Sequence, residues 1–108
     1  MECTYTKLLA EIPGSNVVKC IKSGLIRWYY RNIMVSFDEM DFKGFVKSLA
    51  AIDFEKRGLS TSLGQKFVII NTCHTAIQFV FQESEHRQIM ALLDRALVEL
   101  EIFYLLKS

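Results

Sequence analysis

No sign of charge dominates this chain: thirteen basic and twelve acidic residues leave a formal charge of +1. No global field therefore draws it to nucleic acid, an anionic membrane or an acidic substrate, and any such preference has to come from a local patch. Long apolar runs are missing too. Stretches such as Phe67–Ile70 and Ile102–Leu106 fall far short of the roughly 20 residues that span a bilayer, so no membrane partner is expected. The opening MECTYTKLLAEIPG lacks the basic segment, apolar segment and small-residue cleavage site of a secretion signal. Three cysteines make an odd number without framework spacing, which fits free thiols in a reducing cytoplasm better than a disulfide scaffold. Catalytic signatures are also absent: there is no G-x-G-x-x-G, Walker A, G-x-S-x-G or H-E-x-x-H.

What is present is the material for a core. Hydrophobic residues make up 51% of the 108 and charged residues 23%, enough to exclude disorder and to build one domain of ordinary size. Residues 1–16 read as an N-terminal arm closed by the turn cluster Pro13-Gly14-Ser15-Asn16. Val17–Ile21 reads as a strand. Lys22-Ser23-Gly24 makes a tight turn with a positive φ at Gly24. Leu25–Arg31 is a second strand, rich in β-branched and aromatic residues, and Asn32 suits a left-handed turn position. Ile33, Val35 and Phe37 then alternate with polar or flexible residues, the period-2 sign of a half-buried strand.

A helix follows. Asp38 is placed to cap it, Glu39 and Asp41 suit the positive end of its dipole, and Phe42, Phe45, Val46 and Leu49 fall on one face. Lys56 to Gln65 reads as a loop. Then the pattern returns as a strand Phe67–Thr72, a turn at CHT, a strand Ala76–Phe81 and a long helix from Glu83. Shifted by 44 residues, Ile33 matches Ile77, Val35 matches Phe79, Phe37 matches Phe81, Phe45 matches Ile89 and Leu49 matches Leu93. The arrangement predicts an α+β fold. A single antiparallel sheet of about five strands (β-β-β-α-β-β-α) carries two helices on one face. The expected domain spans 17–108, with halves at roughly 17–55 and 66–107.

Such a layout leaves surfaces over. With Ile33, Val35, Phe37, Ile77, Phe79 and Phe81 facing the helices, the opposite face carries Arg27, Tyr29, Arg31, Met34, Ser36, Gln78 and Val80. The last helix is apolar on more than one side, which predicts a homodimer whose interface draws on Leu92, Leu97, Leu100 and Phe103.

Chemistry has few places to sit. Cys20, Cys73 and His74, with Cys3 and His86, are the soft metal ligands available, but they lack the paired spacing of a zinc site. No metal, cofactor or catalytic residue is expected from them, and Cys20 and Cys73 read as small buried hydrophobes. The acids at both helix starts are explained by the dipole. The one suggestive surface is RWYYR: Arg27, Tyr29 and Arg31 alternate onto one face with Lys19 and Lys22 nearby. Basic grooves with aromatic platforms hold single-stranded nucleic acid, so this is the alternative binding function. The residue-level reading is a non-enzymatic cytoplasmic interaction or regulatory module with an unidentified protein partner.

VVKCIKSGLIRWYYRNIMVSFDEMDFKGFVKSL resembles the first half of a family of small uncharacterised bacterial proteins, a domain of unknown function. In that family a valine-rich strand enters a Cys-x-x-Cys-Gly turn, and an alternating strand runs into an acidic helix start. FVIINTCHTAIQFVFQESEHRQIMALLDRALVELE resembles its closing strand–turn–strand–helix. The resemblance covers most of residues 17–101. Ser23 stands where the second cysteine would be, so a thiol or metal role for the pair does not carry over to Cys20, while the turn at Gly24 is kept. No activity is implied.

Overall fold

The computed structural model of the chain describes residues 5–60, 64, 66–72, 74 and 76–107. Among the described residues seven strands and three helices follow one another as β1 (Thr6–Ile12), β2 (Ser15–Cys20), β3 (Ile26–Tyr30), β4 (Ile33–Phe37), α1 (Glu39–Ala50), α2 (Phe54–Arg57), β5 (Leu59–Ser60), β6 (Lys66–Asn71), β7 (Gln78–Gln82) and α3 (Glu83–Lys107). The α+β class holds, but the single five-stranded sheet does not. The strands form two antiparallel sheets, one ordered β1-β2-β3-β4 and the other β5-β6-β7.

Two strands escape a reading by alternation. The first lies in the stretch taken as an arm, whose residues 1–4 are outside those described. Here the β1–β2 register slips between Leu8 and Ala10. A bulge shifts side-chain parity by one, so Leu8, Leu9, Ala10 and Ile12 show no clean period of two. Pro13 and Gly14 alone close this hairpin, with Gly14 at φ +79, the sequence and backbone of a type II turn. The second is the two-residue β5, within the segment read as a loop; part of that segment lies outside the described residues.

The sheets share one interior. Trp28 of β3 lies 5.0 Å from the ring of Phe79 on β7 and 5.6 Å from Phe45 on α1. Tyr30 meets Phe81 at 5.6 Å. The two sheets are thus linked through rings of β3 and β7 in the core rather than through a backbone ladder. Helix α1 buries Phe42, Phe45, Val46 and Leu49, and the Asp38 carboxylate accepts from the Asp41 N–H at 2.7 Å, as the stripe and the cap predict. Helix α3 packs against β1, α1 and β7 and buries Ile89, Leu92, Leu93, Ala96 and Leu100.

The 44-residue correspondence holds in burial for Val35 with Phe79, Phe37 with Phe81, Phe45 with Ile89 and Leu49 with Leu93. It fails for Ile33 and Ile77, which are exposed. Ile33 opens β4 and Ile77 lies just before β7, where the inner face runs out.

The only tryptophan is fully buried. Its indole N–H donates to Ser15 Oγ at 2.9 Å, and that hydroxyl donates to the Tyr29 carbonyl at 2.6 Å. Replacing Ser15 with Ala leaves both groups without these bonds. The expected loss is about 1–3 kcal/mol, read from urea unfolding followed by Trp28 fluorescence.

Candidate functional site

The five residues proposed for a basic and aromatic strip do not converge. In β2, Lys19 stands opposite Ile26 and two places from Val17, so it shares the inner face and is buried. Its ammonium lies 3.4 Å from the Gly24 carbonyl oxygen and 5.4 Å from the Tyr104 ring centroid. Lys22 lies in the following turn over the ring of Tyr5. Arg27 and Tyr29 do share the outer face, opposite Ser36 and Met34 of β4, and Arg27 Nε is buried without a hydrogen-bond partner. Arg31 has left the strand. It, rather than Asn32, takes the positive φ of the β3–β4 turn, +57°, and its guanidinium leans over Tyr30, an inward residue. A positive φ at the first of two hairpin residues is glycine's province. Arg31→Gly relieves about 1–2 kcal/mol of left-handed strain against about 0.4–1 kcal/mol of added unfolded-chain entropy, so a modest gain in stability is expected, seen as a later urea midpoint.

The sulfur and imidazole groups are dispersed as well. Cys20 is disulfide-bonded, not the free thiol that the odd count suggested; Cys3 and Cys73 lie outside the described residues. His74 sits 3.4 Å from the Ser36 carbonyl oxygen, and His86 2.8 Å from that of Leu49 with its ring against Phe54. Each imidazole is thus engaged by a different part of the backbone. Among the described residues no group of three or more His, Cys, Asp and Glu could hold a metal ion.

One polar cluster has no local sequence signal. The Tyr104 hydroxyl, near the end of α3, donates to Glu39 at 2.6 Å, and Lys43 pairs with the same carboxylate at 3.0 Å. The cluster ties the C-terminal turns of α3 to the first turn of α1, with buried Lys19 beneath the Tyr104 ring. The hydrogen bond from Tyr104 holds the Glu39 carboxyl below its ordinary value, with partial burial opposing and Lys43 assisting. The same bond, then burial, raises the Tyr104 phenol.

Their pH signatures follow from these directions. A lowered carboxylate contributes stability above its unfolded value of 4.5 and loses it as pH falls through the folded pKa. A raised phenol contributes below its unfolded value of 10.0 and loses it as pH rises through the folded pKa. The stability advantage of the wild type over Tyr104→Phe should therefore be widest at intermediate pH and shrink at both ends, in urea midpoints taken across pH.

The anchored helix presents a surface. On α3, Ala91, Val98, Ile102 and Leu105 recur at spacings of seven, four and three, the seam of a helix pair, and all four are exposed. They lie opposite the buried Ala96 and Leu100. Two of the residues expected at an interface belong elsewhere: Leu92 and Leu100, 2% and 1% exposed, sit in this chain's own core, while Leu97 and Phe103 are half-buried. The expectation went astray because strand β1 covers part of the helix. The large outward residues are Val98, Ile102, Leu105 and Leu106, at 48%, 41%, 73% and 83% exposure. The outer sheet faces add Leu8, Met34, Ile69 and Val80.

No helix among the described residues is long and apolar enough to cross a membrane. No curated protein and no solved structure matches the chain. A family model described as a family of unknown function, DUF6686, matches residues 1–106, and the chain belongs to that family.

Proposed function

We propose that this protein is a non-catalytic interaction module that acts as a homodimer. The observation that carries the reading is the run of exposed Val98, Ile102, Leu105 and Leu106 along one side of α3. Apolar surface left in water forgoes about 25 cal/mol per Å2 that burial would return, and contiguous patches of this kind mark interfaces. A two-fold pair is the commonest way to cover one. Support for a non-catalytic role comes from how the ionisable groups are used. Asp38 and Asp53 cap helices. Glu85 accepts from the Gln82 N–H and from the Tyr30 hydroxyl, closing the start of α3.

The test is the mass in solution. Light scattering is expected to give about twice the chain mass of 12.5 kDa, with a concentration-dependent fall on dilution. A single-chain mass at every concentration examined would overturn the reading.

A further inference from the structure

Opposite charges line one small cavity without pairing. The cavity, of about 70 Å3, lies between the β1–β2 turn and the first turns of α3, and its walls include Ile12, Pro13, Tyr30, Arg31, Glu85 and Gln88. The ion pairs among the described residues lie elsewhere. The Tyr30 phenol meets both charges: its hydroxyl donates to Glu85 at 2.8 Å, and the Arg31 guanidinium lies 5.5 Å from its ring centroid. Burial, then the bond to Glu85, raises that phenol, with Arg31 opposing, so it stays protonated and goes on donating to Glu85. Arg31 holds its place against strain, at φ +57° in a turn where glycine would be relaxed. Residues kept in such conformations cluster at ligand sites. We infer that this cavity binds the head group of a free α-amino acid with an aliphatic side chain, its carboxylate on Arg31 and its ammonium on Glu85. The inference does not depend on the dimeric reading above.

Charge and size select this ligand. A plain carboxylate or phosphate drawn to Arg31 would meet the Glu85 charge, and a plain amine drawn to Glu85 would meet Arg31. A molecule with both charges on one carbon satisfies both, and only a free amino acid carries them so, since a peptide bond removes one or the other. The guanidinium fork matches a carboxylate with two parallel hydrogen bonds. A carboxylate accepts about four hydrogen bonds, and Glu85 has accepted those of Gln82 N–H and Tyr30, which leaves places for an ammonium. At roughly 10–15 Å3 for each water-sized group, the cavity holds about five, and an α-carbon with its ammonium and carboxylate has that many heavy atoms. The side chain then has somewhere to go. A shallow groove of about 330 Å3 continues from the cavity, sharing Ile12, Pro13 and Gln88 and adding Ala91, a mostly apolar bed that suits an aliphatic group.

Titration calorimetry and ligand-dependent thermal melts of the whole chain test this, with L-leucine as the probe. Leucine is expected to bind and to raise the melting temperature. Isocaproate, which is leucine without its ammonium, and isoamylamine, which is leucine without its carboxylate, should each bind at least about tenfold more weakly, the size of one lost charge-assisted contact. Glycine, with the head group alone, should also bind more weakly than leucine. Arg31→Gly should weaken leucine binding by a similar factor while its urea midpoint rises, so that lost affinity there is not lost fold. Glu85→Gln keeps an acceptor for Gln82 and Tyr30 but not the charge, and should bind leucine no better than wild type binds isocaproate. A wild type that gives neither heat nor a melting shift with leucine would mean that the cavity holds water only and would overturn the inference. Isocaproate binding as well as leucine would reduce the site to an anion contact and overturn it too, and Arg31→Gly binding leucine like wild type would take the ligand away from this cavity. Glycine matching leucine would overturn the aliphatic class.

Discussion

Replacing Trp28 with Ala should bring the protein to the edge of unfolding. The side chain has no exposed surface, and its ring touches four others: Tyr30 on its own strand, Phe45 on α1, and Phe79 and Phe81 on β7. It is where both sheets and the first helix meet. Truncating a buried aromatic removes its transfer free energy and leaves a cavity that neighbours fill poorly, about 3–5 kcal/mol in all. A domain of this length has a total stability of about 5–15 kcal/mol, so one substitution takes a large share. Thermal melts followed by circular dichroism should show a fall in Tm of well over about 10 °C, given roughly 4 °C or more per kcal/mol at this size. Val80→Ala, on the outer face of β7 and exposed, should stay within about 0.5 kcal/mol of wild type. If the two variants melt alike, the shared aromatic interior is wrong.

How much of this was legible in the residues depends on the distance over which the signal acts. The α1 stripe of Phe42, Phe45, Val46 and Leu49 and its Asp38 cap are local patterns, and they hold. So does the inward alternation of Val35 and Phe37, and of Phe79 and Phe81. Strand β1 was illegible because the bulge between Leu8 and Ala10 broke the period that announces a strand. That omission propagated. Without β1 the long helix seemed to have a whole side uncovered, and Leu92 and Leu100 were assigned outward. With β1 in place they belong to the core, and the open side narrows to Val98, Ile102 and the leucines beyond.

The candidate site was less legible still. The Tyr104–Glu39 bond joins residues 65 apart, and nothing near either one points to the other. Lys19 was half legible. It was read onto the basic strip although its parity with Val17 turns it inward, and the ring that lies over its ammonium comes from the far end of the chain. The split into two sheets followed the same rule. Single strands were readable, whereas the choice between one continuous sheet and two sheets joined by a packed cluster of Trp28, Tyr30, Phe79 and Phe81 is made by side chains meeting across the fold.

Two substitutions on α3, two residues apart, should have opposite consequences. Successive positions on a helix turn by about 100°, so Leu100 and Ile102 point in very different directions. Leu100→Asp places a carboxylate in an interior position that is 1% exposed. Unpaired burial of that kind is among the largest single-residue penalties, several kcal/mol even after the group takes up a proton, and the variant should be unfolded or aggregated. Ile102, 41% exposed, keeps its carboxylate wet when changed to Asp in the single chain, so circular dichroism and the thermal midpoint of the monomer should scarcely move. What should change is the mass. In a pair formed through this side of α3, each dimer would bring two new carboxylates into apolar surface next to the existing Glu101 side chains. Sedimentation of Ile102→Asp should show a folded species of one chain mass where the wild type shows two. A folded Ile102→Asp dimer as tight as wild type would mean that the helix seam is not where two chains meet. A folded Leu100→Asp would mean that the inner and outer sides of α3 have been assigned the wrong way round.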